Sequence, residues 1–154
     1  MNHDKHEGRE VDEGDEDGPS LRYQMRRSSP LSPEAERAMT KTIGCAIGVH
    51  KSLGPGLLES IYRKAMYVEL TAAQLLYEME RPVCITYRGV DLRGQRVDLI
   101  VEGLIVVELK SVARFSDVHR AQVISYLRAT GLRGGLLINF NVPKLRDGLR
   151  RIVL

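Results

Sequence analysis

Asp98, Glu108 and Lys110 have the types and spacing needed for metal-assisted hydrolysis. Asp98 lies in Arg96-Val97-Asp98-Leu99-Ile100-Val101, and the other two close Leu104-Ile105-Val106-Val107-Glu108-Leu109-Lys110, with Glu102-Gly103 between. Both stretches alternate with period two, as strands do. Val97, Leu99 and Val101 share one face of the first, while Ile105, Val107 and Leu109 share one face of the second. Burying both apolar faces on the same side forces Asp98, Glu108 and Lys110 onto a common opposite face, because a one-residue slip would expose one set. A two-residue turn fails this test. A three-residue loop ending in a left-handed Gly103 passes it, pairing Asp98 with Val106 and making Glu108 its diagonal neighbour. Carboxylates at that range repel unless a proton or cation intervenes, and hard oxygen ligands suit Mg²⁺ or Mn²⁺. Lys110 is placed to orient an attacking water or to stabilise charge developing on a phosphate. The same spacing also fits a solvent-facing stripe with an ordinary Glu–Lys–Asp ion pair.

The elements that must position these residues are legible around them. Ser32 is a suitable N-cap with Pro33 at the first helical position, and Ala35, Ala38, Met39, Ile43, Ala46, Ile47 and Val49 recur at helical spacing to about Lys51. Cys45 falls in that apolar stripe, and Gly54-Pro55-Gly56 ends the helix. A second helix is expected from about Leu57 to Leu75, burying Leu58, Ile61, Tyr62, Ala65, Met66, Val68 and Leu70. Strands follow beyond Glu80, with a turn at Gly89. A third helix fits Asp117 to Thr130 with Gly131 past its end; short strands then run from Gly135 to Phe140 and Leu149 to Leu154. The order predicts an α/β (α+β) fold with one mixed sheet between helices.

Composition narrows the function. Residues 1–20 carry −6, leaving 21 Lys and Arg against 12 Asp and Glu, or +9, on the remainder. A basic, Arg-rich body suits a polyanionic partner, and the same charge fits a solvated basic surface. Residues 1–32 read as a disordered tail, acidic first and then rich in Arg, Ser and Pro, before a domain over 33–154. The first residues lack an apolar signal region and no long apolar run occurs, so a cytoplasmic protein without a membrane span is expected. Cys45 and Cys84 form neither a disulfide framework nor a zinc motif. No Lys-Ser/Thr follows the glycines at 54 and 56, and no G-x-S-x-G is present, which argues against a P-loop and a serine hydrolase.

Arg96-Val97-Asp98 followed by Glu108-Leu109-Lys110 resembles the D…(D/E)-x-K signature of the PD-(D/E)XK nuclease superfamily, with Val97 where the signature has proline. Gly56-Leu57-Leu58-Glu59-Ser60-Ile61-Tyr62 has the G-x-x-E-x-x-Y pattern of the GxxExxY protein family. The stretches from Ile47 to Gly56, Leu127 to Leu132 and Leu137 to Phe140, with Lys144, resemble the same family in the same order. The resemblance implies a restriction-endonuclease-like core, a mixed central sheet flanked by helices. It also implies a nuclease that uses Mg²⁺ or Mn²⁺, with Glu59, Asp98 and Glu108 as metal ligands and Lys110 as the catalytic lysine. Glu59 also has Arg63 at i+4, a common surface ion pair. In the superfamily a Gln-x-x-x-Tyr after the lysine strand often borders the active site, a position that Gln122 and Tyr126 match. His119 is expected on the same helix face, as a surface residue or proton carrier. Members often pair to cut two strands, so a homodimer is compatible with the resemblance. The alternative is a nucleic-acid-binding or protein-interaction module on the same fold, without chemistry.

Overall fold

The structure, a computed structural model, describes residues 29–154. The expected tail lies outside this range except for its last residues, and Leu31 among them is buried, 3.0 Å from where a Cβ on Gly134 would stand. Helix α1 (Pro33–Leu53) starts as its sequence dictates, Ser32 Oγ accepting the Ala35 N–H at 3.2 Å. Helix α2 is Glu59–Ala72, followed by strands β1 (Tyr77–Tyr87), β2 (Val90–Val101) and β3 (Ile105–Lys110). Helix α3 (Asp117–Thr130), β4 (Gly134–Asn139), a short 3-10 turn at Leu145–Gly148 and β5 (Leu149–Val153) complete the chain.

The five strands form one sheet in the order β1-β2-β3-β4-β5. Every neighbouring pair is antiparallel except β3 and β4, which α3 connects as a crossover. Helices α1 and α2 cover one face over Leu99, Val101, Ile105, Val107, Leu109, Leu136 and Ile138. Helix α3 covers the other over Ile100, Val106 and Leu137 through Val123, Tyr126 and Leu127. This is the α+β, restriction-endonuclease-like arrangement that the sequence predicts.

Four expectations are corrected. Helix α2 buries the narrower stripe Tyr62, Met66 and Leu70 at i, i+4, i+8, while Leu58, Ile61 and Val68 are exposed. Strand β1 begins at Tyr77, well before the alternation at Val83 becomes visible. Val97 joins the α3 side, although Leu99 and Val101 face α1 and α2. Between them the β1–β2 ladder passes over Glu80 and Asp98, and Glu80 has φ +44°, so the ribbon coils there. Finally, the β2–β3 loop has three residues but runs from Glu102 to Leu104, with Val101 paired to Ile105. Glu102 and Gly103 have φ +55° and +64°, and Leu104 N–H donates to Val101 O at 3.0 Å. Glu102 tolerates this conformation because Leu76 holds it twice: Glu102 N–H donates to Leu76 O and Leu76 N–H to Glu102 Oε1, each at 2.8 Å.

Candidate active site

The corrected register brings the two carboxylates closer in sequence alignment than a diagonal. The last β2–β3 pair is Leu99 with Val107, and one step further sets Asp98 opposite Glu108 instead of Val106. Past the end of the ladder, Leu109 N–H donates to Asp98 Oδ2 at 2.8 Å, so the side chain takes over from the backbone where the strands fork. Both carboxylates are buried, Asp98 at 9% and Glu108 at 4% exposure. Burial, reinforced by repulsion from Asp98, pushes the Glu108 carboxyl up to about 7. Burial also raises Asp98, against the pull of the Leu109 N–H and the Arg63 guanidinium. Glu108 Oε2 is buried without a hydrogen-bond partner among the described residues.

Lys110 sits two residues beyond Glu108 and reaches back to it, Nζ lying 3.1 Å from Oε1. It also donates to Gln122 Oε1 at 2.9 Å. Gln122 Nε2 donates to the Tyr126 hydroxyl at 2.8 Å, and that hydroxyl donates to Gln95 Oε1 at 3.0 Å. The i, i+4 pair on α3 therefore joins the strand residues in one hydrogen-bonded chain that fixes Lys110. Tyr126 is buried as well, so its core packing and its polar contact coexist. Sequence reasoning missed Gln95: it belongs to no motif, and only its pairing with Val83 locates it. His119 does not join the chain. Its Nδ1 accepts the Ser116 N–H at 3.2 Å, closing the start of α3, and its ring meets Phe115 edge-on.

The G-x-x-E-x-x-Y stretch positions Glu59 through its tyrosine. Tyr62 OH donates to Gly54 O at 2.6 Å and accepts the Leu57 N–H at 3.1 Å, closing the loop before α2, where Gly56 takes φ +98°. The Tyr62 ring stacks on Phe140 at 4.6 Å, and Ser111 Oγ donates to Leu57 O at 2.6 Å, tying the loop to the end of β3. Glu59 thus starts α2 beside the strand fork, with its carboxylate turned to Arg63. Arg63 NH2 lies 3.0 Å from Glu59 Oε1 and 3.5 Å from Asp98 Oδ1, and its NH1 lies 3.5 Å from Glu80 Oε1. The i+4 pair is therefore no isolated surface contact but a bridge among three carboxylates. Burial opposes the guanidinium charge, yet Asp98 and Glu59 hold its pKa above the ordinary value.

No three His, Cys, Asp or Glu side chains converge as a ready-made metal cage among the described residues, so Glu59 is not gathered with Asp98 and Glu108. The donor chemistry at the fork nevertheless fits a hard divalent cation. Two opposed buried carboxylates offer hard oxygen donors, Glu108 Oε2 has no partner, and Arg63 and Lys110 are the two cations set against four carboxylates, Glu59, Glu80, Asp98 and Glu108. A mixed sheet with helices on both faces and D…E-x-K at a strand fork defines a protein of the restriction-endonuclease-like class. The family model of the PD-(D/E)XK nuclease superfamily matches residues 36–152, and the chain belongs to that superfamily. No curated protein and no solved structure matches it significantly. Among the described residues no helix is long and apolar enough to cross a membrane.

Proposed function

We propose that the chain is a divalent-metal-dependent nuclease that hydrolyses nucleic-acid phosphodiester bonds. The observation that carries this reading is the buried Asp98–Glu108 pair, with Glu108 Oε2 unpartnered and Lys110 Nζ alongside. A binding surface gains nothing from two buried carboxylates offered to a polyanion. Asp98 and Glu108 would hold Mg²⁺ or Mn²⁺, with water completing its coordination. When bound, the cation supplies charge neutralisation at the phosphate and lowers the pKa of water.

The protein's own residues do the rest. Leu109 N–H fixes Asp98 through Oδ2, while Oδ1 faces the Arg63 guanidinium at 3.5 Å and would exchange that partner for the cation. The Lys110 ammonium has three donors, and Glu108 and Gln122 take two. The third would direct a water or a phosphate oxygen, while Gln122, Tyr126 and Gln95 keep the ammonium from swinging away. Hydrolysis forms one bond from water oxygen to phosphorus and breaks the bond from phosphorus to the leaving sugar oxygen, which takes a proton. Glu59 joins through Arg63, which holds it beside Asp98.

The test combines metal titration by calorimetry with cleavage of duplex DNA, single-stranded DNA and RNA, on wild type and on Asp98→Asn, Glu108→Gln and Lys110→Met. Metal binding lost in the two carboxylate variants, and cleavage lost in all three with the fold retained, is the expected result. Wild-type cleavage by Glu108→Gln or Lys110→Met would overturn the reading.

A further inference from the structure

The β1–β2 hairpin outgrows the sheet. The helices enclose β2 only from Val97 onward, and every residue from Cys84 to Arg96 is exposed. This outer half is a free two-stranded arm, closed at Arg88-Gly89 with φ +50° and +79°. Its base holds the site: Gln95 meets Tyr126, and Asp98 lies three residues further along the same strand.

The arm's composition is unlike that of an idle hairpin. Residues 81–96 carry Arg81, Arg88, Arg93 and Arg96 against Asp91 alone. Arg81 is engaged by Glu78, but Arg88, Arg93 and Arg96 have no carboxylate partner among the described residues. Arg88 instead lies over the Tyr87 ring, 5.5 Å from its centre. Ile85 pairs across with Leu92 and Tyr87 with Val90, leaving four apolar side chains on one exposed face. Toward α3 the arm bounds an open cleft of about 390 Å³ between Cys84–Thr86 and Ser125, Arg128 and Ala129, so a further arginine stands on the opposite wall.

We propose that this arm grips the duplex on which the site acts, an inference that rests on the nuclease reading. Arginines without a carboxylate partner, in an arm with Asp91 as its one acidic residue, suit phosphate oxygens, and the major groove of B-DNA admits a two-stranded ribbon. From Asp98 to Arg88 the strand extends roughly 30 Å, close to one turn of duplex. The tip therefore meets the backbone about a turn away from the phosphate at the fork. Ile85, Tyr87, Val90 and Leu92 supply apolar contacts to sugars and thymine methyls. Binding of a single strand commonly uses successive aromatic platforms along a groove, whereas this arm has one exposed aromatic, Tyr87.

The test is fluorescence anisotropy with the full chain, without divalent metal, against a labelled duplex and a single strand of the same length over a range of salt. The variants are Arg88→Gln/Arg93→Gln/Arg96→Gln and Ile85→Ser/Leu92→Ser, and Mn²⁺ calorimetry runs on each as a control for the fork. The arginine variant is expected to bind duplex at least tenfold more weakly. Its plot of log affinity against log salt should be flatter by about two to three, with Mn²⁺ binding as in wild type. Unchanged duplex affinity and slope would overturn the arm's role and leave the nuclease reading standing. So would a loss confined to the single strand, or variants that alter only self-association in sedimentation. If wild type neither binds Mn²⁺ nor cleaves, yet the arginine variant loses duplex, the nuclease reading falls and the arm's role survives.

Discussion

Glu108→Gln separates the electrostatics of the fork from its packing. In the folded protein Glu108 titrates at about 7 against its ordinary 4.5, chiefly through burial and then through Asp98. The folded state therefore holds this proton more tightly than the unfolded chain does. The stabilisation is complete below about 4.5 and is lost as pH rises through about 7. At about 1.4 kcal/mol per tenfold change in proton affinity, the loss amounts to about 3 kcal/mol at most. The glutamine variant cannot lose it. Its amide keeps an acceptor for Lys110, and any cost of placing an NH₂ group where Glu108 Oε2 lacks a partner is independent of pH. Measured by urea unfolding at pH 5 and pH 8, the variant should gain about 2–3 kcal/mol on wild type between the two, or about 10 °C in melting temperature. Adding Mg²⁺ at pH 8 should raise the wild-type transition and leave the variant's in place. A wild-type-to-variant difference that is the same at both pH values would refute the reasoning, because Glu108 would then be an ordinary, solvated carboxylate.

Two further substitutions test the supports of the fork. Tyr62→Phe removes the hydroxyl that joins Gly54 O to the Leu57 N–H and should cost about 1–3 kcal/mol, read as a lowered melting temperature with an unchanged circular dichroism spectrum. Arg63→Met leaves Glu59, Asp98 and Glu80 without their shared guanidinium and should cost about 2 kcal/mol in metal-free buffer. Mg²⁺ should then raise its melting temperature more than it raises that of wild type, as thermal unfolding with and without the ion will show.

What could be read from the sequence followed from strict periodicity. Burying both apolar faces put Asp98, Glu108 and Lys110 together, and Ser32 and Gly131 marked helix ends that the structure reproduces. The frame of the β2–β3 loop escaped because it depends on Glu102 adopting positive φ, a conformation rare for glutamate and held here by Leu76, which is distant in sequence. Val97 escaped for a related reason, since alternation assumes a flat ribbon and this one coils at Glu80. In α2 the spacing of Leu58, Ile61 and Val68 is helical but lies off the packed stripe, a distinction only tertiary contacts make. Gln95 was invisible for want of a motif, and Arg63 was legible only as the i+4 partner of Glu59; each matters through partners that the fold supplies from other elements.

The stacking of Tyr62 on Phe140 bears on the order in which the molecule is put together. A chain emerging from the ribosome presents Asp98, Glu108 and Lys110 well before β4 exists. Until β4 pairs with β3 and Phe140 arrives beneath Tyr62, the loop carrying Glu59 has no platform and β3 has a bare edge. Gln122, which steadies Lys110, must likewise wait for α3 to be clamped over the same strand. Assembly of the fork thus waits for β4, and a fragment ending before Asn139 carries Asp98, Glu108 and Lys110 without the pairing and stacking that position them. On the proposed reading, a truncated copy that lacks β4 would hold Asp98, Glu108 and Lys110 and still fail to cleave.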